Sequence, residues 1–540
     1  MSPVVDGEAL QKIADRFRYE VAELLAASRA LSSERDIRKL LTLILEKTRQ
    51  VTGADAGSVY VLEEEPAPPG AAPPPKRLHF MLSQNDSLKI DFKEFTLGVD
   101  EKSIVGKAVL TAKPINIPDL YKLSDPAHNP WGFQHNRSFD EKTGYRARSM
   151  LTVPMLSAEN EVIGVIQLIN KKRDAARTLT KAADFEDQVV PFDDRAEEFA
   201  FALASQAGLS LENAMLYEEI KDLFEGFVDA SVQAIESRDP TTSGHSRRVA
   251  TLSVALATCV DAAGEGPFRD VRFTPTTLKQ LEYAGVLHDF GKVGVREKVL
   301  VKAKKLYEED LRAIRMRFAF IRRSLEGDHA ERKLRMALEL AREELPLRFS
   351  DADAELARKL AELDGAWAFI NKANEPTVLE EGGLERLVEI GQLVYMGPDG
   401  EPRPYIEREE IAALQVRRGS LTDVERVEIE SHVVHTYNFL KKIPWGKRFA
   451  DVPRIAGAHH EYLNGGGYPR HLASEEIPLE SRIMTIADIF DALTASDRPY
   501  KKAVPIDRAL GIIESEVKAG KCDAQLFRVF VEGEVYKKVL

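Results

Sequence analysis

The sequence predicts a multidomain protein: an α+β domain with an antiparallel sheet and flanking helices, a long linker helix, then an all-α domain carrying a helical insertion. Three observations predict it. The front third mixes one helical stripe with several β-branched runs separated by turn residues. The stretch from Asp194 to Asp239 contains no proline and keeps helical spacing. From Ser246 onward the pattern is almost wholly helical, with few strand-like runs.

Taken in order, 37–51 reads as an amphipathic helix ending near Gly53, and Ala56–Leu62 as a strand. The Pro/Ala/Gly stretch Pro66–Pro75 is unsuited to helix or central strand and reads as an exposed loop. His79–Ser83 begins the next strand. Ser149–Leu156 and Val162–Asn170 form two more, bracketing a turn at Ala158–Asn160. In the proline-free segment, Phe199, Leu203, Tyr217, Ile220, Phe224 and Phe227 share 3/4 spacing, broken by Gln206, Ser210 and Asn213. Two readings stand: a seam between two copies of the chain, or a helix packed on its own domain. The charged stretch 303–419, with turn-like NKANEP at Asn371 and MGPDGEPRP near Gly397, reads as an insertion splitting the helical domain. Lys305–Arg317 weakly echoes Ser420–His432, with Arg317 where the second copy has His432.

Composition narrows the function classes. With 75 Lys+Arg against 87 Asp+Glu, the net charge is −12, which argues against a nucleic-acid polymer as partner. No run nears the roughly 18 apolar residues of a membrane span, and the polar start Met1–Glu20 is unlike a signal peptide. The cytoplasm is the default expectation. Cys259 and Cys522 stand alone, as suits a reducing compartment.

The chemistry lies in the second half. Histidine and aspartate recur where periodicity does not call for them: His245, His288-Asp289, His432, His459-His460 and Asp488. A lone histidine beside an apolar run is usually a satisfied core or surface residue, but adjacent pairs are harder to explain so. His288-Asp289 ends an apolar helical run, which buries both groups, and a metal is an efficient partner for them. Neighbours such as His459 and His460 point about 100° apart on a helix and can address two metals. Five histidines and two aspartates exceed the needs of one ion. Two-metal sites bind an anionic substrate, generate hydroxide at neutral pH and stabilise an in-line displacement, so phosphoester hydrolysis is the expected reaction. Asp289 is the best-placed carboxylate to bridge.

LHDFGK, HHEYLNGGGYP and DALTASDRPYKK resemble the signature of HD-GYP phosphodiesterases, a branch of the HD superfamily, and ESRDPTTSGHSRRVA is similar to that family's opening helix. The likeness covers about 220–302 and 420–530. It implies metal-ligand roles for His245, His288, Asp289, His432, His459, His460 and Asp488. It implies catalytic roles for Asp289 and Lys292, and substrate contacts through Lys292, through Gly467 and Tyr468 of the GYP loop with Pro469, and through Arg498 and Lys501. The implied cofactors are two divalent metal ions, iron or manganese, and the implied substrate is a cyclic dinucleotide, usually cyclic di-GMP. Some members use a glutamate four residues before the first ligand histidine for a third metal. Thr241 stands there in this chain. A mixed guanine-adenine cyclic dinucleotide, a non-catalytic receptor and a nucleoside-phosphate hydrolase stand as rivals.

Residues 24–215 resemble a GAF domain through KTGYRARSMLTVPM, EVIGVIQLINKK and FDDRAEE. Asn170, Lys171 and Phe192 match a motif of cyclic-nucleotide-phosphodiesterase GAF domains, whose closing Asp-Glu pair is Ala196-Glu197 here. A cyclic nucleotide, another small ligand, or none remain open. The resulting organisation is a GAF sensor at 24–193, a linker helix at 194–236 and an HD-GYP domain at 237–540 interrupted at about 303–419, expected as a homodimer without a membrane partner.

Overall fold

The computed structural model describes residues 18, 22, 25–63, 75–89, 93–126, 129–238, 244–264, 266–378, 382–495 and 503–539. The expected loop at 66–74, Thr241, Arg498 and Lys501 lie outside them. The chain forms two compact units, Met1–Glu225 and Gly226–Leu540.

In the front unit, helix α1 (Ile37–Thr52) starts because the Asp36 carboxylate accepts from Lys39 N, and it ends at Gly53 in the left-handed region. Strands β1 (Ala54–Glu63), β2 (Arg77–Asn85) and β3 (Phe95–Gly98) follow, then α2 (Ile104–Thr111), β4 (Ile115–Ile117), the short α3 (Ser138–Thr143), β5 (Met150–Leu156) and β6 (Val162–Lys172). After α4 (Ala182–Gln188), the two-residue β7 (Val189–Val190) pairs with β6. The sheet is antiparallel, in the order β3-β2-β1-β6-β5-β4. Alternation sorts its side chains into two layers. Val59, Val61, Val153, Ile166 and Leu168 join Leu40, Ile44 and Leu45 of α1 on one face. Tyr60, Phe80, Met150 and Val165 join Val105 and Ala108 of α2 on the other.

Helix α5 (Asp194–Arg238) closes the first layer and runs on across the boundary between the units. The single stripe expected along it is in fact two. Leu203 faces the core with Ala200, Ala204, Ala207 and Leu211, whereas Tyr217, Ile220 and Phe227 are exposed. Two causes explain the difference. A 3.5-residue repeat drifts about 20° per heptad on a 3.6-residue helix, so one line of residues changes face over several turns. The sheet-facing side is also built largely of alanine, which lets α5 approach closely but leaves little pattern of large apolar residues.

In the second unit, α6 (His245–Asp261) packs against α7 (Pro275–Leu287), and α8 (Glu297–Leu300) leads into the charged stretch. That stretch holds a hairpin of α9 (Glu308–Glu339) and α10 (Leu345–Ala373), then α11 (Gly383–Gln392), a ribbon of β8 (Val394–Met396) and β9 (Pro402–Pro404), and α12 (Arg408–Leu414). MGPDGEPRP spans the end of β8, the turn and β9. The stretch has its own core of Ile314, Phe318, Ile321, Leu363, Ile370 and Ile390, among others. Its two ends meet at the neck: Lys302 Nζ lies 2.8 and 2.7 Å from the Glu425 oxygens, and Tyr307 OH donates to the same carboxylate. The chain then continues through α13 (Asp423–Leu440), α14 (Val452–Ala456), α15 (Leu479–Thr494), α16 (Ile506–Lys518) and α17 (Ala524–Glu532).

Candidate metal centre

Five helices and the turns after them bring the histidines and aspartates together. His245 opens α6, His288 caps α7, His432 lies on α13, His459 and His460 follow α14, and Asp488 lies on α15. All but the partly exposed His460 are buried, His459 completely. Gly291 of LHDFGK permits the closest approach. A Cβ there would stand 1.8 Å from His432 O, so only glycine lets the turn carrying Asp289 press onto α13. Gly291 N donates to Thr436 Oγ1, and Thr436 Oγ1 donates to His288 O, fixing that contact.

The imidazoles are oriented by a repeated device. Nδ1 of His288 donates to Gly285 O at 2.7 Å, Nδ1 of His459 to Ala456 O at 2.6 Å, and Nδ1 of His432 to Ile429 O. A carbonyl only accepts, so each Nδ1 carries the proton and each Nε2 presents a lone pair. Those three Nε2 atoms are buried and have no hydrogen-bond partner among the described residues. Burying three such acceptors is costly unless a cation meets them. Donor atoms within 4.8 Å of one another form three groups: His432, His459 and His460; His245, His288 and Asp289; His288, His459 and Asp488. This is a donor set suited to divalent metals.

His245 is held differently. Its Nδ1 donates to Asp491 Oδ2 at 2.7 Å, and Arg248 donates to Asp491 through Nε at 2.6 Å and Nη2 at 3.1 Å. Its Nε2 lies 3.2 Å from Asp488 Oδ1 and 3.8 Å from Asp289 Oδ2. Asp491 was not among the sequence candidates. Its signal was available, since it is a second acid in the apolar run IADIFDAL, three residues after Asp488.

Asp289 stands between two donor sets. Oδ2 lies 3.5 Å from His288 Nε2, and Oδ1 lies 3.3 Å from His432 Nε2. Lys292 Nζ is 2.8 Å from Oδ2. Burial alone would raise the Asp289 carboxyl, but the Lys292 ammonium and the surrounding imidazoles outweigh it and hold it well below its ordinary value. Burial pushes His432, His459 and His460 down, the last to about 4, so these rings are neutral at pH 7. Burial would also lower His245, but Asp488, Asp491 and Asp289 overcome it and lift that ring to about 9.

The GYP loop folds over the second histidine pair. A Cβ on Gly467 would meet His460 O and Tyr462 N at 2.4 Å, and the Tyr468 ring lies 4.8 Å from that of His460. Buried Glu461, also absent from the sequence candidates, ties the loop's exit by accepting from Arg470 N at 2.8 Å and Leu472 N at 2.9 Å. His435 is exposed and packs beside Gly294, away from the donor set.

In the front unit, the matched motif residues bind protein groups. Asn170 accepts from Arg148 N and donates to Arg146 O. Lys171 pairs with Asp193 at 2.8 Å, a carboxylate three residues before the Ala196 position where one was sought.

Comparisons with known proteins identify two domains. A family profile described as a GAF domain matches residues 36–211, and one described as an HD domain matches residues 409–526. The second covers His432, His459, His460 and Asp488, while His245, His288 and Asp289 precede it. 3'3'-cGAMP-specific phosphodiesterase 3 of Vibrio cholerae serotype O1 is 45% identical over 105 residues, 19% of this chain and 22% of that protein. 3'3'-cGAMP-specific phosphodiesterase 1 of the same organism is 39% identical over 113 residues, 21% of this chain and 25% of that protein. Cyclic di-GMP phosphodiesterase response regulator RpfG of Xanthomonas campestris pv. campestris is 40% identical over 102 residues, 19% of this chain and 26% of that protein. The chain thus spans about a quarter of the length of these relatives. It carries a GAF domain followed by an HD domain of the HD-GYP type.

Proposed function

We propose that this chain is a metal-dependent phosphodiesterase that opens a 3′–5′ cyclic dinucleotide, cyclic di-GMP, to the linear dinucleotide and onward to GMP. The observation that carries the reading is the convergence of three buried, unpartnered Nε2 atoms on Asp289 and Asp488. His245, His288, Asp289, His432, His459, His460 and Asp488 would hold two divalent ions, iron or manganese, with Asp289 shared between them. When bound, such a pair supplies a nucleophile from water at neutral pH and positive charge for the leaving oxygen. The chain's own groups do the rest. The carbonyls at Gly285, Ile429 and Ala456 keep the rings in one tautomer. Lys292, beside Asp289, steadies the scissile phosphate as a point charge. Gly467 and Tyr468 wall the pocket, and Arg498 and Lys501 grip the remaining phosphate and bases. The domain limits are those read from the sequence, 24–193, 194–236 and 237–540, with 303–419 as an inserted module whose separate core supports its independence. The GAF domain acts as the sensor of a small ligand, and the working unit is a homodimer.

A second substrate reading has its own support. The two Vibrio cholerae relatives named as specific for 3'3'-cGAMP favour the mixed dinucleotide. The test is hydrolysis of both dinucleotides by the full chain loaded with reduced iron or manganese, with products resolved by chromatography and metal counted on the same sample. Linear product with about two metals per chain supports the mechanism, and the faster substrate decides specificity. A metal-loaded chain that cleaves neither overturns the enzymatic reading.

A further inference from the structure

The first turn of α6 presents His245 to the metal centre, yet it lacks the means to fix its own start. Gly244, the capping residue, has φ 66° and no side chain to accept from the helix. A Cβ there would stand 2.9 Å from Arg248 Nη1, so the position stays glycine. The third helical position is where a glutamate would reach back to the backbone N–H of the capping residue. Here it is Arg247, which can only donate. No acidic residue lies in that first turn. Both halves of a reciprocal cap are thus missing from the helix that carries a donor histidine in its opening position.

The missing acceptor comes from α5. Glu236 Oε1 accepts from Gly244 N at 2.8 Å, and Asp229 Oδ1 accepts from Arg247 Nη2 at 2.8 Å. The two acids are seven residues apart, about two turns, and so share one face of α5. That end of α5 lies within the second unit, which begins at Gly226, and it buries Val228, Val232 and Ile235 there. The two contacts differ in weight. Arg247 and Asp229 are both more than half exposed, so their pair contributes little. Glu236 is half-buried, and its carboxylate meets a backbone N–H at the positive end of a helix.

We infer that Glu236 is a positioning residue for the metal centre: it caps α6 from the last turn of α5 and so fixes where His245 points. The inference rests on the metal-centre reading above and extends it to a residue outside the donor set. His245 is gripped from two sides. Asp491 on α15 takes its Nδ1, and the backbone at Gly244 sets the start of the turn that carries it. Its Nε2 lies 3.2 Å from Asp488 Oδ1 only while both hold. A frayed first turn would swing this ring away and leave His288, His432 and His459 on their own carbonyls. Because α5 is continuous from Asp194 to Arg238, the same bond ties His245 to the helix that leaves the front unit.

The test uses the full chain and Mn²⁺, with retention read by competition against a chelator and folding checked by helical circular dichroism. Glu236→Ala should weaken Mn²⁺ retention about 10-fold, as expected for a group that orients a ligand from outside the donor set. Glu236→Gln should restore parent retention, since its amide oxygen still accepts from Gly244 N. Asp229→Ala should bind as the parent does. Parent-like retention in Glu236→Ala overturns the inference and leaves the metal-centre reading intact. A Glu236→Gln chain as weak as Glu236→Ala overturns the hydrogen-bonded cap, and an equal loss in Asp229→Ala overturns the assignment to Gly244. A parent that retains no Mn²⁺ overturns the metal-centre reading and this inference with it.

Discussion

The protein buries two clusters of charge and completes them in opposite ways. In the front unit, Asp55 is fully buried, and both its oxygens are taken by protein groups. Lys172 Nζ lies 3.0 Å from Oδ1, Ser87 donates to Oδ1 at 2.7 Å, and the Tyr145 hydroxyl donates to Oδ2 at 2.8 Å. Arg49 adds a bond to Asp55 O at 2.7 Å. In the second unit, Asp289 and Asp488 are equally secluded, yet the imidazoles beside them turn unpartnered nitrogens inward. A closed network is structural, because each carboxylate oxygen already has the donors that burial denies it. An open one, held rigid by backbone carbonyls, is preorganised for a cation that comes from outside. Burial marks both clusters alike, and what separates them is the count of unmet acceptors.

The largest expected effect comes from breaking the open cluster. His288→Ala with Asp289→Ala should lower hydrolysis at least about 1,000-fold and abolish metal retention, while the front unit keeps its unfolding transition. Retained turnover in that variant after metal removal would sink the two-metal mechanism. The closed cluster should fail in the complementary way. Asp55→Ala leaves the buried Lys172 ammonium only Asp86 at 3.4 Å and the buried Tyr145 hydroxyl without its acceptor, and should cost about 3 kcal/mol of front-unit stability, with metal content unchanged. Denaturant unfolding followed by circular dichroism measures it, and a loss below about 1 kcal/mol would mean that the network is not what holds the ends of the central strands β1 and β6.

Much of the second cluster was legible in the sequence because its residues conflict with their surroundings. His288-Asp289 after LEYAGVL, and Asp488 within RIMTIADIFDAL, are polar groups set in apolar helices, and the structure brings all seven expected donors into one centre. The same argument, applied once more, reaches Asp491. Glu461 offered less, since an acid after two histidines is ordinary until the loop folds back onto it. Helix α5 misled for another reason: large apolar residues dominate a sequence pattern, whereas the face that packs on the sheet is largely alanine. The partner of Lys171 was also hidden, because Asp193 reaches it only through the turn that starts α5. The neck at Lys302 and Glu425 joins residues 123 apart, a separation no local pattern spans.

A smaller effect should follow from loosening the open cluster without removing a donor. Asp491 fixes the tautomer and direction of His245 and is itself held by Arg248. Asp491→Asn keeps the shape but weakens that grip, and should lower metal affinity about 10–100-fold, read by competition with a chelator. Unchanged affinity would assign Asp491 to packing alone and leave His245 positioned by its helix.

The neck of the insertion is a third cluster, closed like the one around Asp55, and it extends the contrast to pH. Burial alone would raise Glu425, but Lys302, Tyr307 and the backbone of Thr422 outweigh it and lower the carboxyl to about 2. Its unfolded value is the ordinary 4.5, so between these values the unfolded chain binds the extra proton and stability rises with pH. The neck's contribution is therefore full above about pH 4.5 and is lost as the pH falls toward about 2, a change on the order of 2 kcal/mol. Glu425→Gln should flatten the stability profile of the second unit within that window, and differ from the parent mainly by a constant offset above it. A slope that survives the substitution would move the acid sensitivity to the carboxylates of the metal centre, where loading with metal should then suppress it.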